Sequence, residues 1–205
     1  MLRVTKITVQ KRHSNRFNIF LDNDERISVT DDLILRFSLS RGKELDDKEV
    51  EALRHAADVA FTREKALELL SRRDHATGEL RTKLYQKGYQ KAAIQAAIEY
   101  LQSKNYLNDE RFIKLYLKEL IERKQLGPSK IREKLFQRGL SSELINEYIQ
   151  HYDFETQVEN CKFHMLKKFK QQNFETREDL AKAIRYLQGK GFSWEAINSV
   201  TQRRR

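Results

Sequence analysis

Over the first thirty residues apolar and polar positions alternate: Lys6-Ile7-Thr8-Val9-Gln10, then Phe17-Asn18-Ile19-Phe20-Leu21, then Arg26-Ile27-Ser28-Val29. A period of two carried by Val, Ile, Thr and Phe predicts short β-strands, with Asp22-Asn23-Asp24-Glu25 as the turn between the second and third. The turn is like the start of a calcium loop, but Ile27 stands where such a loop needs glycine. A small hairpin or three-stranded antiparallel sheet is therefore expected, and a sheet of that size needs a helix to pack on. After Thr30 the period lengthens. Asp31 to Phe37 predicts a short helix, Ser40-Arg41-Gly42-Lys43 a turn, and residues 46–59, with Val50, Leu53, Ala56 and Ala57, an amphipathic helix.

From about Phe61 onward the pattern is helical, and it repeats. RTKLYQKGY at 81–89 returns as REKLFQRGL at 132–140 and, more faintly, as IRYLQGKGF at 184–192. Setting Gly88, Gly139 and Gly191 in register aligns Leu80/Ile131/Ala183, Leu84/Leu135/Leu187, Tyr89/Leu140/Phe192 and Ile94/Ile145/Ile197 as core positions of one unit. Each unit holds three predicted helices: 62–73, 77–87 and 90–103; 108–124, 128–138 and 141–151; 154–172, 176–189 and 193–202. Asn108, Ser141 and Ser193 fall at N-cap positions, Thr176 with Asp179 approximates a capping box, and Pro128 takes a first helical position. Glycine just past a helix end closes each middle helix. One such unit has little core of its own, so neighbours are expected to stack. The predicted fold is mainly all-α: tandem three-helix repeats stacked into an elongated curved array, preceded by a small β-hairpin or sheet plus helix module. The boundaries are 1–61 for the module, then 62–106, 107–153 and 154–205 for the repeats.

Charge sharpens this division. The formal net charge is +10, which favours an anionic partner. Residues 1–61 carry 11 basic and 11 acidic side chains, whereas the repeats carry 9 against 5, 9 against 8 and 11 against 6. The excess lies in the repeats, so a polyanion contact is expected there. The single cysteine, Cys161, makes no internal disulfide; with no secretory leader visible, the expectation is a cytoplasmic protein. Uninterrupted apolar runs are only a few residues, against the roughly 20 that a membrane span requires.

Candidate chemistry is sparse. His13, His55, His75, His151 and His164 show no metal-ligand spacing, and Cys161 near His164 is read as a packed residue rather than half of a catalytic pair. No glycine-rich nucleotide loop is present, so no enzyme activity, metal or cofactor is expected. The positive signal is basic decoration. Arg81 and Lys83 flank the Leu80/Leu84 ridge at about 80° on either side, as Arg132 and Lys134 do in the second unit. They either cover apolar edges with their stems or form a recurring anion contact. Arg72-Arg73 and Arg123-Lys124 close equivalent first helices, where cations also complement the helix dipole. In the third unit Lys162, Lys167, Lys168 and Lys170 interleave with Phe163 and Phe169, which are expected in the core; Lys190 and the tail Arg203-Arg204-Arg205 follow. Glu110, Lys114, Lys118 and Glu122 read as a solvated ladder. Opposite it, Phe112, Ile113, Tyr116, Leu117, Leu120 and Ile121 form a stripe wide enough for a helix sandwiched between units.

Ser71-Arg72-Arg73-Asp74, Glu79-Leu80-Arg81-Thr82-Lys83-Leu84, Lys87-Gly88-Tyr89, Tyr106-Leu107-Asn108-Asp109-Glu110-Arg111-Phe112 and Gly127-Pro128 with Lys130-Ile131-Arg132-Glu133-Lys134-Leu135 together resemble the bacterial RecX family over roughly residues 60–200. Asn108 replaces an aspartate common in that family and caps a helix equally well. The module at 1–61 resembles the longer versions of the family. What the resemblance implies is a non-enzymatic regulator of RecA. Such a protein binds in the groove of the RecA filament on single-stranded DNA and modulates, mainly by inhibition, its ATP hydrolysis, strand exchange and stability. The candidate contacts are Arg72, Arg73, Arg81, Lys83, Arg123, Lys124, Arg132, Lys134, Lys167, Lys168 and Lys190. A monomer is expected. The alternative is a stand-alone basic DNA-binding protein of helix-turn-helix type.

Overall fold

Period-two alternation at the start of the chain becomes β1 (Leu2–Gln10), β2 (His13–Leu21) and β3 (Arg26–Thr30), and a short β4 (Glu44–Leu45) makes the sheet four-stranded rather than three. Its order is β3-β2-β1-β4, with every pairing antiparallel. The computed structural model describes residues 1–11, 13–170, 174 and 176–201, for His13 and Ser14 the backbone alone. The basic tail Arg203–Arg205 and the predicted helix ends at 172 and 202 lie outside the described residues. By contact the chain divides into two units, Met1–Arg73 with Leu80–Tyr106, and Asp74–Glu79 with Leu107–Arg205.

In the first unit one sheet face is apolar. Val4, Ile19, Leu21, Ile27 and Val29 are buried against Leu33, Leu39, Val50, Leu53 and Ala57. These come from α1 (Asp31–Arg36), the loop after it, and α2 (Asp47–Arg72). The β2–β3 connection is a turn: Asn23 Oδ1 accepts from the Glu25 N–H at 3.1 Å, and Asp22 Oδ1 accepts from the Arg3 N–H at 3.1 Å. The largest departure from the sequence reading is α2. Helices expected at 46–59 and 62–73 are one 26-residue helix. Asp46 caps it through a full capping box with Glu49, at 2.7 and 2.8 Å, and nothing between Ala60 and Thr62 stops it. Thr62, the one polar residue there, is fully buried and donates to the Asp58 carbonyl at 2.6 Å, so its hydroxyl is satisfied within the helix. The far half of α2 packs with α4 (Lys91–Ser103), and α3 (Thr77–Gln86) completes the first three-helix unit.

The second unit holds α5 (Asp109–Lys118), α6 (Pro128–Gln137), α7 (Ser142–Ile149), α8 (Phe154–Phe169), α9 (Arg177–Gly189) and α10 (Trp194–Thr201). Asn108, Ser141 and Ser193 accept from the N–H groups of Arg111, Leu144 and Ala196 at 2.9, 3.2 and 3.2 Å. Thr176 caps Asp179 likewise, but the shorter aspartate receives the Thr176 hydroxyl instead of reaching the cap's backbone. Of the twelve aligned core positions eleven are buried; Tyr89 is half-buried. The broad stripe on α5 enters the core with Leu126, Ile131, Leu135 and Ile145.

Two features of this unit were not foreseen. The helix begun as α5 does not run regularly to 124 but widens into a π-helical turn, Glu119–Arg123. The N-terminus of α6 also meets the end of α9. Gly127 and Ser129 donate their N–H groups to the carbonyls of Lys190 and Gly191 at 2.9 and 3.0 Å. The orphan donors of one helix thus satisfy the orphan acceptors of another, with the dipoles head to tail. Gly78 and Gly139 make an equally close backbone approach, within this same unit, and Arg138 donates to Glu79 Oε1 at 2.8 Å beside it.

Candidate functional site

The predicted cationic residues fall into three groups. Arg81 and Arg132 are clamps inside their own units: Arg81 Nη1 donates to Gln95 Oε1 at 2.8 Å, and Arg132 Nη1 donates to Asn146 Oδ1. Each ties a middle helix to the following one, and the amides are as far apart in sequence as the arginines. Lys83 and Lys134 are half-buried beside them. The second group closes first helices. Arg72 is exposed and bonded to Glu68 one turn back at 2.6 Å, Arg73 follows it at the extended C-cap of α2, Arg123 is exposed at the end of the π-helical turn, and Lys124 lies 3.6 Å from Glu119. Exposed ion pairs of this kind stabilise by at most about 1 kcal/mol, so Arg72 and Lys124 can exchange them for a stronger anion.

The third group is the one the fold assembles. His164 on α8 is 7 % exposed, and its Nε2 lies 3.3 Å from the Lys124 carbonyl. Its Nδ1 lies 3.4 Å from the Tyr186 hydroxyl, and the Lys190 ammonium sits 5.5 Å over the Tyr186 ring. The Lys167 ammonium sits 5.3 Å over Phe163, whose ring packs edge-on to His164. Lys167 and Lys190 thereby flank one imidazole, which also meets the backbone of Lys124, and exposed Lys168 is next in sequence to Lys167. Phe163 is a correction: expected in the core, it is 41 % exposed because the cationic side of α8 turns it outward. Phe169 is half-buried, packed edge-on against Phe174 and Tyr186.

Burial, supported by the positive charges of Lys190 and Lys167, holds the His164 pKa below its ordinary value. The unfolded chain therefore binds a proton more readily than the folded one. Stability from this group is present above about pH 6.5, the ordinary histidine value, and is lost as pH falls toward the lower folded pKa. His164→Asn is expected to remove part of the fall in melting temperature between neutral and mildly acidic pH; the two proteins' melting curves at a series of pH values check this.

Asn160 shares the inward face of α8 with His164. Its Nδ2 donates to the Ile121 carbonyl at 3.1 Å and to the Tyr152 hydroxyl at 2.8 Å, while Tyr152 donates to the Leu126 carbonyl at 3.2 Å. The sequence reading missed this pair, although two polar residues at i, i+4 amid Cys161 and Met165 were a visible signal. Cys161 itself is fully buried, and burial pushes its thiol up to about 12, in keeping with a packed residue. Among the described residues no group of three or more His, Cys, Asp or Glu side chains is placed to hold a metal ion, and no helix is long and apolar enough to cross a membrane.

Fold and surface together define a class: a protein of tandem three-helix units with cations gathered at a unit junction, carrying a small sheet module at its start. Comparisons with known proteins give the family. Residues 2–46 match the family model described as the regulatory protein RecX N-terminal domain, and residues 63–101, 108–149 and 155–201 match the first, second and third RecX three-helix domains. Regulatory protein RecX of Listeria welshimeri is 32% identical over 98% of this chain and 75% of its own length. That of Bacillus licheniformis is 33% identical over 97% and 76%, and that of Bacillus subtilis 32% over 96% and 75%. A crystal structure of regulatory protein RecX superposes with a TM-score of 0.74 at 26% identity, covering 98% of both chains. The chain belongs to the RecX family of regulatory proteins.

Proposed function

We propose that this chain binds the RecA filament on single-stranded DNA, in its groove, and restrains ATP hydrolysis, strand exchange and filament stability without catalysing a reaction itself. The observation that carries the reading is repetition at the surface. Tyr85 and Phe136, one turn after the Arg81 and Arg132 clamps of successive units, are 70% and 66% exposed. Identical subunits along a filament would meet such recurring aromatics in turn, and aromatic anchors are what protein interfaces favour. In this reading the cations around His164 face the anionic strand or acidic side chains of the filament, and the protein acts as a cytoplasmic monomer.

The test is RecA's single-strand-dependent ATP hydrolysis, titrated with the protein while DNA is far in excess of what the protein could coat. Inhibition at far fewer copies than RecA monomers is the expected result. Inhibition only at saturation of the DNA would favour a stand-alone DNA binder competing for phosphate. Reversing Lys124, Lys167 and Lys168 to Glu is expected to raise the half-inhibitory concentration roughly tenfold, about 1.4 kcal/mol. An unchanged value with normal helical content would remove these lysines from the interface.

A further inference from the structure

Balanced charge in residues 1–61 conceals a segregation that only the sheet register exposes. Strand pairing sets Lys6, Phe20 and Arg26 in one row across β1, β2 and β3, and Thr8, Asn18 and Ser28 in the next. These rows occupy the face opposite the apolar one, and Phe20 is not part of that core. Lys6, Lys11 and Arg26 are exposed, and Phe20 is half-buried between the two cations of its row. No carboxylate stands in either row. The carboxylate next to Arg26 in sequence, Glu25, is turned away, with both oxygens 2.6 Å from Arg54 Nη2 on α2. The other acidic residues lie in the turns, on α1, on β4 beside Arg3, or at and along α2.

The centre of the face is a ladder of uncharged polar groups. Gln10 Nε2 donates to Asn18 Oδ1 at 2.8 Å and to Ser28 Oγ at 3.2 Å, and the Ser28 hydroxyl donates to Asn18 Oδ1 at 3.2 Å. The network fixes both amides, leaving Asn18 Nδ2 as donor and Gln10 Oε1 as acceptor without a partner among the described residues. With Thr8, Lys11 and Arg26 these groups line one shallow depression. Lys11 directly follows β1, five positions after Lys6, a span of at most roughly 16 Å.

We propose that this face binds single-stranded nucleic acid. Lys6, Lys11 and Arg26 take phosphates, Phe20 offers a ring for stacking, and Asn18 with Gln10 presents a donor and an acceptor to base edges. Cations bracketing an aromatic and a fixed polar ladder on one sheet face suit an unstacked strand of roughly two or three bases. A duplex would turn phosphates to the same cations but keep its base edges in a major groove about 12 Å wide, which admits a two-stranded ribbon rather than the face of a four-stranded sheet. The surface belongs to the sheet module and shares no residue with the cluster around His164, and its DNA binding is measured without RecA.

The experiment is fluorescence anisotropy of the full chain with a labelled oligo(dT) and with a duplex of equal length, over a series of salt concentrations. Lys6→Glu/Arg26→Glu is expected to weaken single-strand binding at least tenfold and to flatten the salt slope by about 1.4, from two phosphate contacts at roughly 0.7 each. Asn18→Ala is expected to weaken the single strand about threefold, within the range for one lost base contact, and leave the duplex unchanged. Lys48→Glu, exposed on α2, serves as the control and should change neither. If the double reversal lowers the melting temperature, Lys6→Gln/Arg26→Gln reads the same contacts through the salt slope. Binding by the double variant equal to the control overturns the proposal, as do equal losses on single strand and duplex for Asn18→Ala. Unchanged DNA affinity with weakened inhibition of RecA overturns it in favour of a protein partner.

Discussion

Gly191→Ala should be far more damaging than the same change at Gly88, although both residues close equivalent helices with the same backbone conformation. Gly88 has φ of +87° and Gly191 of +88°. An L side chain at such φ carries a strain of about 1–2 kcal/mol. A Cβ on Gly88 meets nothing within 4 Å, whereas on Gly191 it falls inside the Lys130 backbone, 2.9 Å from Cα and closer still to the nitrogen. Overpacking of this kind adds about 1–3 kcal/mol. Gly127 separates the two effects. Its φ is −75°, so alanine there carries no strain, yet its Cβ would collide with the Gly191 carbonyl carbon and the Phe192 nitrogen. At about 2–4 °C per kcal/mol for a chain of this length, Gly88→Ala should lower the melting temperature by about 2–8 °C and Gly127→Ala by about 2–12 °C. Gly191→Ala should fall by roughly the sum of the two. Equal shifts at Gly88 and Gly191, measured by circular dichroism, would show that the head-to-tail approach of α6 and α9 contributes nothing.

This contact also shows where the sequence stops being legible. Gly88, Gly139 and Gly191 are in register, so their role as helix closers is visible from the repeat alone. Their partners Gly78 and Gly127 are out of register, aligned with Ser129 and Ala76, and nothing one-dimensional marks them as the surfaces on which the next unit's closing turn rests. The capped helices and the core were legible because each cap is a local hydrogen bond and each core position recurs at helical spacing. The π-helical turn was not, since it is matched by donors from elsewhere in the chain: Asn160 to the Ile121 carbonyl and Tyr152 to the Leu126 carbonyl just beyond the turn. The continuous α2 was missed for a related reason: a change of role along a helix, from sheet-packing to repeat-packing, needs no break in the backbone. At the candidate sites, Arg81 and Arg132 were visible as a repeated pair, but their clamping amides, Gln95 and Asn146, lie on the following helix, where spacing alone does not pair them. The neutral count over residues 1–61 pointed away from a surface there that gathers cations on a single face. A sum of charges has no direction, and strand register supplies it.

Asn160→Leu should be the most destabilising polar-to-apolar exchange in the second unit, despite similar side-chain volume. Three carbonyls in and just past the π-helical turn, on Ile121, Lys124 and Leu126, meet Asn160, His164 and Tyr152. Asn160 is 6% exposed and Tyr152 4%, so water cannot readily replace a lost donor. Each buried group left unsatisfied costs about 1–3 kcal/mol, and Asn160→Leu orphans the Ile121 carbonyl while removing the amide bonded to the Tyr152 oxygen. A loss of about 2–4 kcal/mol is expected for Asn160→Leu, against about 1 kcal/mol for Tyr152→Phe, which leaves the Leu126 carbonyl with one bond fewer. Because the two side chains bond each other, the double variant should lose less than the two single losses added, by about 1 kcal/mol, when all four proteins are unfolded in urea. Strict additivity would mean that the two hydroxyl and amide contacts act independently. The same cycle read through RecA's ATP hydrolysis joins stability to function. The network fixes the segment carrying Arg123 and Lys124, so Asn160→Leu should weaken the proposed inhibition of RecA at temperatures where the protein remains folded, while Gly88→Ala, remote from that segment in sequence, should not.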